Sequence, residues 1–356
     1  MRLFECQHCG QPLHFENTNC EACGRRLGYL PDAGALATLE PEGDGWRSLA
    51  QDGGLYRLCS NAQYDVCNWL VPADSQEMFC AACRHNRTVP DLSMPEHMAN
   101  WRKLEAAKHH LFYTLLKLGL RPRNRIEDPE EGLAFDFLAD GQGDNGMTAV
   151  MTGHDLGLIT ISLAEADDAE RERRRSQMHE PYRTLLGHFR HEIAHFFWDR
   201  LVRDTAMLPR CREVFGDESV SYAQALQDHY NNGPPAGWQQ GYVSTYAAAH
   251  PWEDFAETWA HYLHLVDTLE TAFAFGIRVR PKISRAEELS TRVDSDPHKA
   301  GSIDELMEPW VPLTVAINSV NRSMGQPDLY PFVLSPKVIE KLGFIHELIH
   351  RRPRPD

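Results

Sequence analysis

Cys6-x-x-Cys9 and Cys20-x-x-Cys23 stand ten residues apart near the start of the chain. Two such pairs offer four thiolates, each pair on a tight turn that points both sulfurs inward, and tetrahedral zinc is the ion that fits them. Gly10 and Gly24 follow the pairs directly, which suits the left-handed residue closing a zinc knuckle. A second set, Cys59, Cys67, Cys80 and Cys83, again ends in Cys-x-x-Cys, but seven residues separate its first two members. Two readings of it stay open: a second four-thiolate zinc, or reduced structural thiols. A region this short and this rich in cysteine is expected to use metal where it lacks the chain length for a hydrophobic core.

Eight of the nine cysteines lie in the first 83 residues, which in a secreted chain would suggest disulfides. No apolar leader segment precedes Cys6 and no stretch approaches the length of a membrane span, so a cytoplasmic protein with metal-bound thiolates is expected. The 36 basic residues against 51 acidic ones leave a formal charge of −15. Nonspecific binding to nucleic acid or to an anionic membrane needs the opposite field. Arg25, Arg26, Arg84 and Arg87 are the candidates for a local basic patch near the cysteines.

At 356 residues, 42% hydrophobic and 24% charged, the chain reads as a soluble globular protein of two domains. Pro90 and the box Ser93-Met94-Pro95-Glu96 suggest a boundary, with a zinc-ribbon region over 1–90 and a second domain over 91–356. Trp101, Leu104, Leu111, Phe112, Leu115 and Leu118 recur at helical spacing up to Gly119. Leu133, Phe135 and Phe137 alternate like a strand, and Thr148–Thr152 with Leu158–Leu163 reads as an antiparallel hairpin. The charged run Glu165–Arg175 reads as solvated surface. Pro312–Ser323, capped by Gly325, and a segment opened by Ser335-Pro336 are expected helices, with Arg280–Ala300 an irregular surface segment.

The segment with chemistry begins at Pro181, where Leu185, Phe189, Ile193, Phe197 and Leu201 mark a long helix containing His191-Glu192-Ile193-Ala194-His195. Histidines at i and i+4 share a face, so two imidazoles can meet one zinc, while Glu192 is placed to reach a water beside the metal. The motif is short, and a core helix with two polar-facing histidines is the alternative. Burial of such a group without a counter-charge is costly, so a third ligand is needed. Glu253 and Glu257 lie one turn apart in an aromatic-rich helix, Trp252–His264. Glu253 as ligand would complete two histidines and one glutamate, leaving the fourth position to water, and Glu257 could hold a ligating histidine by its distal nitrogen. His261 and His264 are lesser rivals on the same face. Glu253 lies 58 residues after His195, and the insert contains a helical stretch, Ser219–Tyr230, followed by a turn-rich one. It reads as a wall over the cleft or as scaffold.

His191-Glu192-x-x-His195 paired with Glu253-Asp254-Phe255-Ala256-Glu257 resembles the zincin metallopeptidases that take glutamate as third ligand. Ser244-Thr245-Tyr246, ending seven residues before Glu253, is similar to the arrangement of anthrax lethal factor, in which a tyrosine at that offset assists catalysis. Over nearly its whole length the chain resembles a bacterial family of zinc-binding metallopeptidases with an amino-terminal zinc-ribbon region. The matching features are the cysteine sets, the run Arg183–Arg190 into the zinc motif, and Pro327-Asp328-Leu329-Tyr330-Pro331-Phe332. The resemblance implies an α+β fold, with a zincin-like domain whose active-site helix lies under a small antiparallel or mixed sheet. It also implies peptidase chemistry on a protein or peptide, with Glu192 as general base and Tyr246 as hydrogen-bond donor to the oxyanion. A packed loop tyrosine is the plainer reading of Tyr246. By fold analogy, Leu158–Leu163 or its hairpin partner would be the edge strand that takes an extended peptide. One catalytic and two structural zinc ions are expected, with ribbons that position a protein partner. The competing functions are a zinc-ribbon adaptor with a silent peptidase domain, and a protease recruited to nucleic acid.

Overall fold

The computed structural model describes residues 2–50, 53–141, 150–177, 184–283 and 287–350. Its contacts divide the chain into two compact units, Met1–Arg171 and Glu172–Asp356. Helix and strand are mixed, the strands forming only small sheets. No helix among the described residues is long and apolar enough to cross a membrane.

The first unit opens with a two-stranded hairpin, β1 (Phe4–Glu5) and β2 (Pro12–Leu13), which carries Cys6 and Cys9 in its turn. Gly10 and Gly24 adopt φ of 74° and 73°, and their amides donate to the carbonyls of Cys6 and Cys20, closing the two expected knuckles. An antiparallel five-stranded meander follows: β3 (Leu27–Leu30), β4 (Ala35–Glu42), β5 (Gly45–Ser48), β6 (Leu55–Leu58) and β7 (Leu70–Pro72). Leu30, Ala37, Leu39 and Leu70 form a small core on it. Between Cys59 and Cys67 the chain makes a short 3₁₀ turn, Ser60–Tyr64, closed by Asp65 at φ 56°. That turn absorbs the irregular spacing.

β8 (Asn86–Thr88) leads into the long helix α1 (Pro95–Lys117). The expected capping box is not formed: Met94 is the N-cap, and the Ser93 hydroxyl donates to Asp91 instead, at 2.7 Å. Trp101, Leu104, Leu111, Phe112 and Leu115 are buried as their spacing requires. β9 (Ala134–Leu138) pairs in parallel with β8 and with β11 (Leu158–Ser162), and β10 (Gly153–Asp155) closes an antiparallel hairpin onto β11. The sheet order β10-β11-β9-β8 makes it mixed. β11 is an interior strand of it, and the open edge belongs to its hairpin partner β10, the second of the two alternatives. The hairpin is tighter than expected, with its turn at Leu156-Gly157; Thr148 and Ala149 of the expected first strand lie outside the described residues.

Helix α2 (Asp168–Gln177) crosses the division, and Pro181, the expected start of the next helix, lies outside the described residues. α3 (Leu185–Leu201) begins at Thr184, whose hydroxyl accepts from the Gly187 amide at 3.0 Å. α4 (Leu208–Phe215) and α5 (Tyr222–Asn232) occupy the insert, α5 being capped by Ser221. α6 (Pro251–Ala274) is the central helix of the second unit. The ring nitrogen of His250 caps its start, accepting from the Trp252 amide. Phe255, Trp259, Tyr262, Leu263, Val266 and Leu269 are buried along it, packing against α3 and α8 (Pro336–His350). A buried ion pair, Lys341 to Asp254 at 2.5 Å, fastens α8 to the first turn of α6.

Two short strands, β12 (Arg278–Val279) and β13 (Thr291–Arg292), precede α7 (Ile303–Ser323). α7 starts nine residues before the expected Pro312, at a Ser302 cap, and carries Pro309 and Pro312 inside it. Proline usually ends a helix by removing a donor, so the pattern misled there. Arg280–Ala300 is not wholly surface, because Val293, Pro297 and His298 are buried.

Candidate active site

The second unit presents its donors on two packed helices. His191 and His195 project from one face of α3, and Glu253 from the first turn of α6. Their ligand atoms lie within 4.8 Å of one another. The Nε2 atoms of the two histidines are 3.2 Å apart, and Glu253 Oε2 stands 3.0 Å from His191 Nε2 and 3.6 Å from His195 Nε2. A tetrahedral zinc with bonds of about 2.0–2.1 Å has ligand edges of about 3.3–3.4 Å. The triangle fits such an ion, and the two-imidazole, one-carboxylate set is chemically suited to it.

Glu257 reaches His191 Nδ1 at 2.8 Å, and the Ser244 hydroxyl donates to the other Glu257 oxygen at 2.6 Å. The carboxylate therefore fixes which nitrogen of His191 faces the third donor. Burial opposes charge on His191, yet hydrogen bonds to Glu253 and Glu257 outweigh it and hold the imidazole well above its usual range. Burial likewise pushes Glu253 up, but the imidazoles of His195 and His191 win and hold its carboxyl well below normal. The pocket concentrates negative charge where a cation would sit. Trp252 stacks against His195 with ring centroids 3.8 Å apart. Glu192 is buried on the same helix as the histidines.

Tyr222, at the start of α5, was not singled out by sequence reasoning. Its hydroxyl donates to Glu253 Oε1 at 2.6 Å. Tyr246 lies beside His191, ring centroids 5.9 Å apart. Burial, with Glu253 close by, raises both phenols above their usual range, so they stay protonated donors. The insert thus reaches the site at the first turn of α5. No spacing rule links positions 222 and 253. His261 instead pairs with the Tyr330 hydroxyl at 2.9 Å, and His264 with Arg190 at 3.2 Å. Tyr330 and Phe332 of the Pro327–Phe332 stretch pack on His261, which gives that stretch its structural purpose.

In the first unit, both cysteine sets converge. Cys6 and Cys23 sulfurs are 3.8 Å apart, Cys9 and Cys20 3.6 Å, and Cys67 and Cys80 3.7 Å. Zinc–sulfur bonds of about 2.3 Å give tetrahedral edges of about 3.8 Å. No disulfide is formed, all nine cysteines being free. Helix α1 sets His109 Nε2 3.6 Å from Cys83, with the buried Lys108–Glu105 pair alongside, an arrangement the cysteine spacing did not reveal.

A family model described as "Putative zinc-binding metallo-peptidase" matches residues 97–348, and a zinc-ribbon domain model matches residues 3–94. The chain belongs to this metallopeptidase family. Uncharacterized proteins of Mycobacterium tuberculosis and Mycobacterium bovis are 41% identical to it over 350 residues, covering 98% of this chain and 95% of theirs. No solved structure matches the chain significantly. Membership supports a peptidase role, zinc as the metal, and a protein or peptide as substrate. The family's ribbon portion coincides with the two four-cysteine clusters.

Proposed function

We propose that the protein is a zinc-dependent peptidase whose catalytic ion is held by His191, His195 and Glu253, with two further zinc ions in the cysteine clusters. The observation that carries the reading is the 3.0–3.6 Å triangle of donors on α3 and α6. Zinc in such a set polarises a peptide carbonyl and makes water acidic near neutrality. Glu192, beside both histidines on α3, takes the proton of the attacking water and delivers it to the leaving amine. Glu257, steadied by Ser244, keeps His191 oriented, and Tyr222 keeps Glu253 in place. Tyr246, beside His191, donates its hydroxyl to the developing oxyanion.

We place the functional boundary near residue 90, between a ribbon region over 1–90 that positions a protein partner and a zincin-like domain over 91–356; the two family matches, 3–94 and 97–348, support it. A cytoplasmic setting suits eight thiolates kept for metal. The test is Glu192→Gln in the full chain, assayed on a peptide library with zinc counted in parallel. Hydrolysis falls about 10²–10⁴-fold while zinc content is unchanged. Equal turnover in the variant removes the assignment and leaves an adaptor held by its cysteines.

A further inference from the structure

Asp267 and Glu270 lie one turn apart near the C-terminal end of α6, and His298 sits in a 3₁₀ turn, Pro297–Lys299, just before α7. All three are buried, and one donor atom from each lies within 4.8 Å of the others. They come from segments almost 30 residues apart in sequence, so their meeting is tertiary. The Nδ1 of His298 is held by Asp296 Oδ1 at 3.0 Å. Its Nε2 is buried and has no hydrogen-bond partner, on a residue only 6% exposed. An imidazolium paired directly with a carboxylate would bring nitrogen and oxygen to about 2.7–2.9 Å. Nε2 makes no such bond.

A carboxylate on one ring nitrogen, with the other nitrogen buried and unpartnered, is how proteins prepare histidine for a metal. We propose that Asp267, Glu270 and His298 Nε2 bind a divalent transition ion of the zinc class, at a site separate from the peptidase centre. A set of two carboxylates and one imidazole suits such ions. His298 Nε2 forms no hydrogen bond to either carboxylate, yet one donor atom from each residue lies within 4.8 Å of the others, a cluster that a cation can close. The site lies 14 residues along α6 from Glu253, about 21 Å at 1.5 Å per residue. Arg190, next to His191 on α3, is ion-paired with Asp267. The ion would clasp the connection between α6 and α7 onto α6, at a carboxylate already bonded to the catalytic helix.

The test uses the full chain, loaded with zinc, freed of unbound metal and assayed for zinc per chain by mass spectrometry. With both cysteine clusters, the peptidase centre and this site filled, wild type carries four equivalents, and His191→Ala/His195→Ala carries three. Adding Glu270→Gln or His298→Asn to that double variant lowers the count to two, with a cooperative melt retained. Glu270→Gln preserves side-chain volume, so a folding failure of His298→Asn alone does not decide the matter. Counts unchanged by both additions, in protein that melts cooperatively, overturn the proposal, whether or not the His191/His195 pair proves to hold zinc.

Discussion

As metal sites, the cysteine clusters and the histidine–glutamate triangle would work in opposite ways. In the first unit, four sulfurs close each set, the backbone around them is turn and short strand, and their separations of 3.6–3.8 Å leave no position for substrate. In the second unit, three donors project from long helices that α8 and the insert already pack. The difference teaches where stability comes from. A saturated set replaces a core, whereas an unsaturated one needs a core beneath it to hold its geometry.

That contrast yields its sharpest test in Cys80→Ser/Cys83→Ser. Structural zinc contributes on the order of 10 kcal/mol or more to a domain that depends on it, so the first unit should lose cooperative folding and be cut readily by protease. His191→Ala, by contrast, should remove one zinc while its melt stays close to wild type. An equal collapse in both would break the distinction. Next in size is Tyr246→Phe, which removes a donor from the oxyanion: kcat should fall about 10²-fold with zinc content and melting unchanged. A packed loop tyrosine would instead shift the melt and spare the rate.

Glu257→Gln should weaken zinc binding at the histidine site about 10–100-fold, read by competition with a chelator, while the cysteine sites keep their zinc. The smallest expected effect concerns acid. Burial drives His261 down to about 4, so between pH 6.5 and 4 the unfolded chain takes up a proton that the folded site refuses. That share of stability is complete above pH 6.5 and is lost as the pH falls, reaching about 2 kcal/mol by pH 5. His261→Gln should flatten this part of the melting profile.

Local chemistry was legible in the sequence wherever spacing along one element decides geometry. The Cys-x-x-Cys turns, the i, i+4 histidines and the Glu253/Glu257 pair are all of that kind, and the structure brings each of them together. Relations across elements were not. Tyr222 meets Glu253 from a separate helix, and Lys108 and Glu105 approach Cys83 only because α1 packs on the cluster. His298 was hidden in a charged, irregular stretch whose composition resembles surface. The helix interior prolines, Pro309 and Pro312, showed that tertiary packing can override a local stop signal.

The hydrogen bond from the Tyr222 hydroxyl to Glu253 would make binding events at the proposed centre thermodynamically interdependent. A substrate that draws the Tyr222 hydroxyl away would leave Glu253 with more negative charge toward a cation on its other oxygen. By reciprocity, a bound cation would make Tyr222 easier to recruit, so substrate and metal would each tighten the hold on the other.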